Sequence, residues 1–559
     1  MDNKFRYIPL LMTVCVVVGI LIGSFYSSRF STHGLSIISS SGSKIGDLLH
    51  IIEEKYVDEV DPDSLTEKTI PLLLQVLDPH SSYSNAAQVK ADMESLEGGF
   101  SGIGVMFRII DDTIMVISTV AGGPAAEVGV VAGDRIVTVD DKPFCGDLLT
   151  EEIALKTLKG EEGTQVKLGL YRNGQLVNLT VTRGDIPIKS IEAAYIIEDK
   201  KTGAKTGVID LRLFGETTYG ELLAELAELS HLGMERLIID LRENHGGYME
   251  PAIKMANEFL PQGCMVVYTE GRRSKRASYV SDGRGSYQTL PLVVLVSEET
   301  ASASEIFAAA MQDNDRAMVV GRRTFGKGLV QEPIRFNDGS MLRLTIARYY
   351  TASGRCLQKP YAEGEIDAYA EDLIHRWEHG EAFSSDSIHL TGKTYKTRLG
   401  RTVYGGGGVM PDYFVPADTA GATSYFQEAV LSGLLQQWAF RYSDVNRAKL
   451  KGKTMPELAS YLAKQDLPEK FAEYGEKHGL KRRNIGLHKS YSLFKQTLSA
   501  FIIDYTIDEE ARIQYLNQED ATVLKALEIL AAGKSFPSLP DEKKDGNKNE
   551  SESREATAA

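Results

Sequence analysis

A chain of 559 residues with 43% hydrophobic content carries enough apolar material for several cores, about three or four domains by length. Its formal net charge of −15 excludes a general nucleic-acid binder, which needs a basic footprint. Four cysteines in so long a chain do not make a disulfide framework.

Ile8 to Phe25 is almost wholly apolar, about 27 Å long as a helix and close to bilayer thickness. Lys4 and Arg6 precede it, so the positive-inside rule puts the N-terminus in the cytosol and the bulk of the chain across the membrane. A cleaved signal peptide is the alternative, but no small-x-small site follows the apolar stretch. The expectation is an uncleaved anchor in residues 1–26, giving a single-pass inner-membrane protein with its body in the periplasm or otherwise outside the cytoplasm. A serine-rich linker (27–43) leads into helical periodicity from Leu48 to Leu77, within an N-terminal helical segment of 44–88. Asp78 before Pro79 then ends the helix and begins a turn at His80.

The stretch Gly98-Gly99-Phe100-Ser101-Gly102-Ile103-Gly104-Val105 is followed by Val116–Val120, then Gly123-Pro124-Ala125-Ala126 and Gly133-Asp134-Arg135-Ile136-Val137. A helix is predicted over Glu151–Leu158. This order resembles a PDZ domain, spanning residues 89–188. Glycines in the first stretch leave successive N–H groups at Gly102, Ile103, Gly104 and Val105 free to hold a peptide's terminal carboxylate, while the peptide adds as a strand.

From Thr206 short apolar strands alternate with helices, which predicts an α/β layered core. The strands are Val208–Leu211, Leu237–Leu241, Met265–Thr269, Leu292–Val296 and Ala317–Val320; the helices are Glu221–Leu232, Pro251–Leu260 and Ser302–Asp313. Two glycines after the second of these strands, Gly246 and Gly247, can turn backbone N–H groups inward with no side chain in the way. Ser302 falls at the junction between a buried strand and a helix, where its hydroxyl is exposed beside backbone N–H groups and a positive dipole end. A serine hydroxyl needs a base to take its proton. Lys327, flanked by Gly326 and Gly328, can be one if burial lowers its pKa. A strand through 327, 329 and 331 would put Gln331 on the lysine's face. A hairpin is predicted for Leu329–Phe336 and Met341–Tyr350, turning at Asn337-Asp338-Gly339. Gly405 to Gly408 lack the Gly-Lys-Ser/Thr of a phosphate loop. Tyr425 to Ala532 is leucine- and charge-rich and predicted helical, and Asp541 to Ala559 is polar and predicted disordered.

Together these segments are similar to the carboxyl-terminal processing peptidases, or tail-specific proteases: serine endopeptidases with a Ser/Lys dyad on a crotonase-like core. The family's serine lies in Ser-Ala-Ser-Glu and its lysine in Phe-Gly-Lys-Gly, with a glutamine four residues on. Here Ser302-Ala303-Ser304-Glu305, Phe325-Gly326-Lys327-Gly328 and Gln331 match, with 25 residues from serine to lysine. The resemblance implies that Ser302 is the nucleophile, Lys327 the general base and Gln331 the residue that orients the lysine. Asp240-Leu241-Arg242-Glu243-Asn244-His245-Gly246-Gly247 resembles the family's Asp-Leu-Arg-x-Asn-x-Gly-Gly loop, which implies an oxyanion hole from the N–H of Gly246 or Gly247 with that of Ala303. Leu77-Asp78-Pro79-His80-Ser81 resembles a family signature that makes His80 part of a structural turn. Gly405 to Asp412 resembles a motif near the end of the peptidase unit. The likeness covers residues 45 to 415.

Each feature also has a plainer reading: Ser302 as a helix cap, Gly-Lys-Gly as a solvated turn, the glycine pair as an ordinary strand end. Their joint occurrence and spacing favour catalysis. His245 is the rival base, but no carboxylate partner can be named for it, so a surface loop histidine is expected. His375 and His379, four apart, lack an evident third metal ligand. Cys15 lies in the apolar N-terminal stretch; Cys145, Cys264 and Cys356 sit in no Cys-x-x-Cys and beside no histidine, so they are expected to be buried small residues.

The expected protein is an α/β enzyme with a crotonase-like peptidase core (189–415), an inserted PDZ domain, a C-terminal helical region (416–535) and a disordered tail (536–559). It is a membrane-anchored endopeptidase cutting proteins near their C-termini, with no metal, nucleotide or other cofactor. Its partners are proteins or peptides with free C-termini and the membrane, not nucleic acid; an adaptor or self-association is compatible. The rivals are a PDZ adaptor whose peptidase-like domain is inactive, disfavoured by the intact dyad, and an acyl-CoA enzyme of the crotonase type, disfavoured by the PDZ unit and export signal.

Overall fold

The structure is a computed structural model and describes residues 18, 44–110, 112–172, 174–362, 364–388 and 392–536. The chain divides into two units, Met1–Leu73 and Leu74–Ala559. The helical periodicity from Leu48 to Leu77 resolves into two helices, Lys44–Lys55 and Pro62–Gln75. The break falls just before Pro62, because a proline disfavours helical backbone in the residue preceding it.

The expected single-pass membrane placement is corrected. Among the described residues no helix is long and apolar enough to cross a membrane. One of the longer helices, Tyr491–Thr506, has 16 residues, about 24 Å against a hydrocarbon core of ~30 Å. The apolar stretch 8–25 lies outside the described residues except for Val18, as do the linker 27–43 and residues 537–559 of the tail.

The centre of the larger unit is a six-stranded sheet in the order Ile191–Glu198, Lys205–Leu211, Arg236–Asp240, Leu292–Val296, Met318–Gly321, Tyr413–Phe414. The first pair is antiparallel and the rest are parallel. Parallel strands are covered on both faces and so read as continuous apolar runs, which is why Leu292-Val293-Val294-Leu295-Val296 is wholly buried. Alternate residues serve the two faces. Leu237, Ile239, Leu292 and Val294 pack with Leu222, Leu226, Met255, Phe259 and Phe307 of the helices Thr218–His231, Met249–Phe259 and Ala303–Asp313. Ile238, Val293, Leu295 and Val320 face the other way, onto Ile513, Val523, Ala526, Ile529 and Leu530. The C-terminal helices therefore supply the second cover of the sheet. They also bond to one of its loops and to its edge strand: Arg242 donates to Asp520 at 2.7 Å, and Asn517 donates to the Tyr195 hydroxyl at 2.9 Å.

A second sheet orders Ser82–Ser84, Met341–Thr351, Met265–Glu270 and Ala277–Val280, with Leu329–Arg335 also paired to Met341–Thr351. The predicted hairpin thus forms, with Gly339 at φ 88° in its turn. Residues 105–182 hold a third sheet in the order Val105–Ile110, Thr113–Thr119, Arg135–Val139, Gln165–Arg172, Gln175–Thr182. The helix Glu151–Leu158 buries Ala154 and Leu158 against it, in one core with Ile114, Ile136 and Leu168. Of the cysteines expected to be buried, Cys264 is, Cys356 is intermediate, and Cys145 is exposed, at an isolated bridge to Thr113 outside the PDZ core.

Candidate active site

All eleven residues of the helix Ala303–Asp313 are buried, although four of them are polar. Each polar group is satisfied, as burial requires. Ser304 Oγ donates to the Asn244 carbonyl at 3.0 Å, and Gln312 Nε2 to the Met410 carbonyl at 2.7 Å. Asp313 accepts from the buried Arg355 at 2.7 Å. These directional bonds hold the helix in one rotation and so aim its first turn. Ser302 stands immediately before it with φ 57° and ψ −117°, a conformation that costs a non-glycine residue about 1–3 kcal/mol. The buried helix on one side and the central strand on the other impose that strained turn.

Glu305 is the fourth polar residue, and it joins the two halves of the site. Its carboxylate accepts from the N–H of Ser302 at 3.0 Å and from the N–H groups of Gly326 and Lys327 at 2.8 Å each. The Thr324 hydroxyl donates to it as well. Burial pushes this carboxyl up to about 7, against those hydrogen bonds. Tyr349 makes a second clasp: its buried hydroxyl donates to the carbonyls of Ser302, at 3.2 Å, and of Lys327.

Lys327 is largely enclosed, and burial, then the positive charge of Arg343, lowers the pKa of its amine. Its Nζ meets Gln331 Oε1 at 3.5 Å, while Gln331 Nε2 donates to the His80 carbonyl. That second bond turns the amide oxygen toward the lysine. The His80 carbonyl is in turn set by Asp78, whose carboxylate accepts from the N–H groups of His80 at 2.8 Å and Ser81 at 2.9 Å. The Thr345 hydroxyl also donates to it, at 3.0 Å. Burial raises the Asp78 pKa, but hydrogen bonds led by that from the Ser81 hydroxyl outweigh it and leave the carboxyl below its usual range. Burial and then the nearby Lys327 charge depress the His80 imidazole to about 4; it is neutral at physiological pH and pairs with the Tyr369 hydroxyl at 2.8 Å.

The glycine loop closes the site. Gly246 has φ 102° and lies so near the serine that a Cβ there would sit 2.7 Å from Ser302 Cβ. Its N–H is donated to Asn244 Oδ1 at 2.8 Å. Gly247 instead lines a cavity of about 660 Å³ with Ser302, Ala303, Lys327 and Gln331. Leu96, Ile306, Leu329 and Met341 make much of its apolar wall, and His245 lies at its edge. His245 is exposed, with Nδ1 3.2 Å from the Glu299 carbonyl.

The structure therefore brings together Ser302, Lys327, Gln331, Gly246, Gly247 and Ala303. It places Gly102, Ile103, Gly104 and Val105 elsewhere, where the strand Gly99–Gly102 ends and the edge strand Val105–Ile110 begins. There the Ile103 and Gly104 carbonyls accept from Ala125 at 2.9 Å and Val120 at 3.0 Å. Sequence reasoning missed Glu305, Tyr349, Asn244 and Arg343. Glu305 had a local signal, an acidic residue three positions after a serine at a helix start, and Asn244 stood in the glycine-loop motif without a role; Tyr349 and Arg343 had none.

Family models match this chain as peptidase family S41 over residues 205–367 and as a PDZ domain over 101–182. A family of unknown function, DUF8443, matches over 425–508. The carboxy-terminal processing protease CtpA of Bacillus subtilis (strain 168) is 32% identical over 370 residues, 65% of this chain and 78% of that protein. A probable CtpA-like serine protease of Staphylococcus aureus (strain COL) is 33% identical over 356 residues, 63% of this chain and 70% of its own. Among solved structures, a photosystem II D1 C-terminal processing protease aligns over 57% of this chain and 85% of its own, at 30% identity and a TM-score of 0.33. With a relative 32% identical across 78% of its length, this PDZ-bearing chain belongs to the carboxy-terminal processing serine proteases of peptidase family S41.

Proposed function

We propose that the chain is an endopeptidase that cuts proteins near their C-termini by a Ser302/Lys327 dyad on a crotonase-like core. The observation that carries this is the Glu305 carboxylate, bonded to the backbone N–H of both Ser302 and Lys327, so that nucleophile and base are held by one group. The neutral Lys327 amine takes the Ser302 proton as Oγ attacks the scissile carbonyl. The oxyanion that forms is held by the N–H groups of Gly247 and Ala303; Gly247 is chosen over Gly246 because the latter's N–H is already given to Asn244. Lys327 returns the proton to the leaving amine, and an acyl ester remains on Ser302. Water, deprotonated by Lys327, releases it. Gln331 keeps the amine in place without a charge that would favour its protonated form. The PDZ loop at Gly102–Val105 captures the free carboxylate of the substrate tail.

A fluorophosphonate probe should label the intact protein at Ser302, as mapped by mass spectrometry, and labelling should be lost in Lys327→Ala. Labelling at a different residue sinks the assignment.

The lysine's environment also sets a pH profile. A base must be neutral to act, so kcat/KM rises with pH through the Lys327 pKa, which is lowered from its ordinary 10.5. Arg343→Gln removes a positive charge that favours the neutral amine, so it raises that pKa. The rising limb of the profile should then move to higher pH, and the rate at neutral pH should fall. A limb that stays put, or moves to lower pH, contradicts Lys327 as the base.

A further inference from the structure

The PDZ sheet has an open side. Val105–Ile110 pairs with Thr113–Thr119 and with no other strand among the described residues. It starts at the glycine loop and runs away from it. A tail whose carboxylate sits in that loop, added as a strand on the free edge, must therefore run antiparallel, its upstream residues heading toward Ile110. That far end packs against the C-terminal helices. Phe440, on the helix Leu434–Val445, shares a buried apolar cluster with Ile110, Met115 and Ile117 of the PDZ sheet, and Tyr505 packs on the same cluster. Between the two modules lies a cavity of about 220 Å³, whose lining includes Arg108, Ile109, Glu151, Gln437, Phe440 and Tyr505. This is below the ~300–1,000 Å³ of small-molecule sites and suits one large side chain. Its apolar walls are Ile109, Ile110 and two aromatic rings, while polar groups come from residues that include Arg108, Glu151 and Gln437.

We propose that this cavity is a specificity pocket for a large apolar side chain of the substrate tail, about five residues upstream of the terminal carboxylate at the ~3.4 Å rise of a strand. It rests on the capture of free C-termini argued above, and it gives the C-terminal helical region a part in choosing substrates. A terminal tripeptide alone does not reach the cavity; a longer tail with the right side chain does.

Full-length protein carrying Ser302→Ala, so that probes are not cut, would be titrated with fluorescein-labelled peptides. One is Leu-Ala-Ala and one a Gly/Ser decapeptide with that ending. Two further decapeptides carry phenylalanine five or eight residues before the last, and amidated forms of all four complete the set. The decapeptide with phenylalanine five before the end should bind about tenfold tighter than the plain decapeptide, the gain expected from burying one aromatic side chain in part. Phenylalanine at the other position should add less, and Gln437→Trp, which fills the cavity, should erase the gain. If the plain and phenylalanine decapeptides bind equally while the amides bind weakly, the pocket is refuted and carboxylate capture stands. If acids and amides bind alike, or no acid binds, capture itself fails and the pocket with it. A gain that survives Gln437→Trp also overturns the proposal.

Discussion

Replacing Ser302 or Lys327 by alanine is expected to reduce turnover of a denatured protein substrate by about 10⁴-fold or more, since a nucleophile and its base act as a unit. The two losses should be similar, and the double variant should lose little beyond either. The geometry explains why: the N–H groups of both residues end on Glu305, and both carbonyls on Tyr349, so the two residues are held as one unit. Lys327→Arg should be as inactive as the alanine variant, because a guanidinium does not give up its proton in a protein. Thermal unfolding of each variant would separate lost chemistry from lost fold. Near-wild-type turnover in Lys327→Ala would remove the lysine from the mechanism and make His245→Ala the next variant to assay.

Gly247→Ala should be the second most damaging change, with a kcat loss on the order of 10²–10³, the effect of losing one oxyanion donor. A Cβ at this position would lie 2.3 Å from the Phe214 carbonyl oxygen, and the residue's φ of 140° is strained for anything but glycine. The loop must therefore shift and carry its N–H away from the reacting carbonyl. The loss should fall mainly on kcat and little on KM, because the donor acts on charge that develops in the transition state. Activity within tenfold of wild type, with the variant fully folded, would show that the Gly247 N–H does not hold the oxyanion.

Much of the site could be read from the chain because its parts are local. A wholly apolar run of five residues must be a buried strand, and a serine directly after such a strand and before a helix must stand on a tight turn. The PDZ unit was readable for the same reason, as an ordered set of short turns and strands. The groups that hold the parts in place were not readable. Gln331 owes its orientation to the His80 carbonyl 251 residues away, and the Asp78 turn that sets this carbonyl reads in sequence as a structural turn, with no sign that it reaches the lysine.

By itself the sequence determined the elements, their order, and which residue types stand at the strand ends where chemistry is possible. It did so through periodicity and turn chemistry, which act over a few residues. The tertiary structure alone decided what meets what. The apolar runs at 237–239 and 292–296 announce burial on both faces, but not that the second face is closed by helices near residues 513 and 523–530. An amphipathic helix carries only the demand for an apolar surface, and many surfaces satisfy it. The fold chose the central sheet for the last helices and one face of the PDZ sheet for Phe440 and Tyr505. Likewise, a buried glutamate after a serine needs donors, and only the folded chain shows that three of them come from Thr324, Gly326 and Lys327.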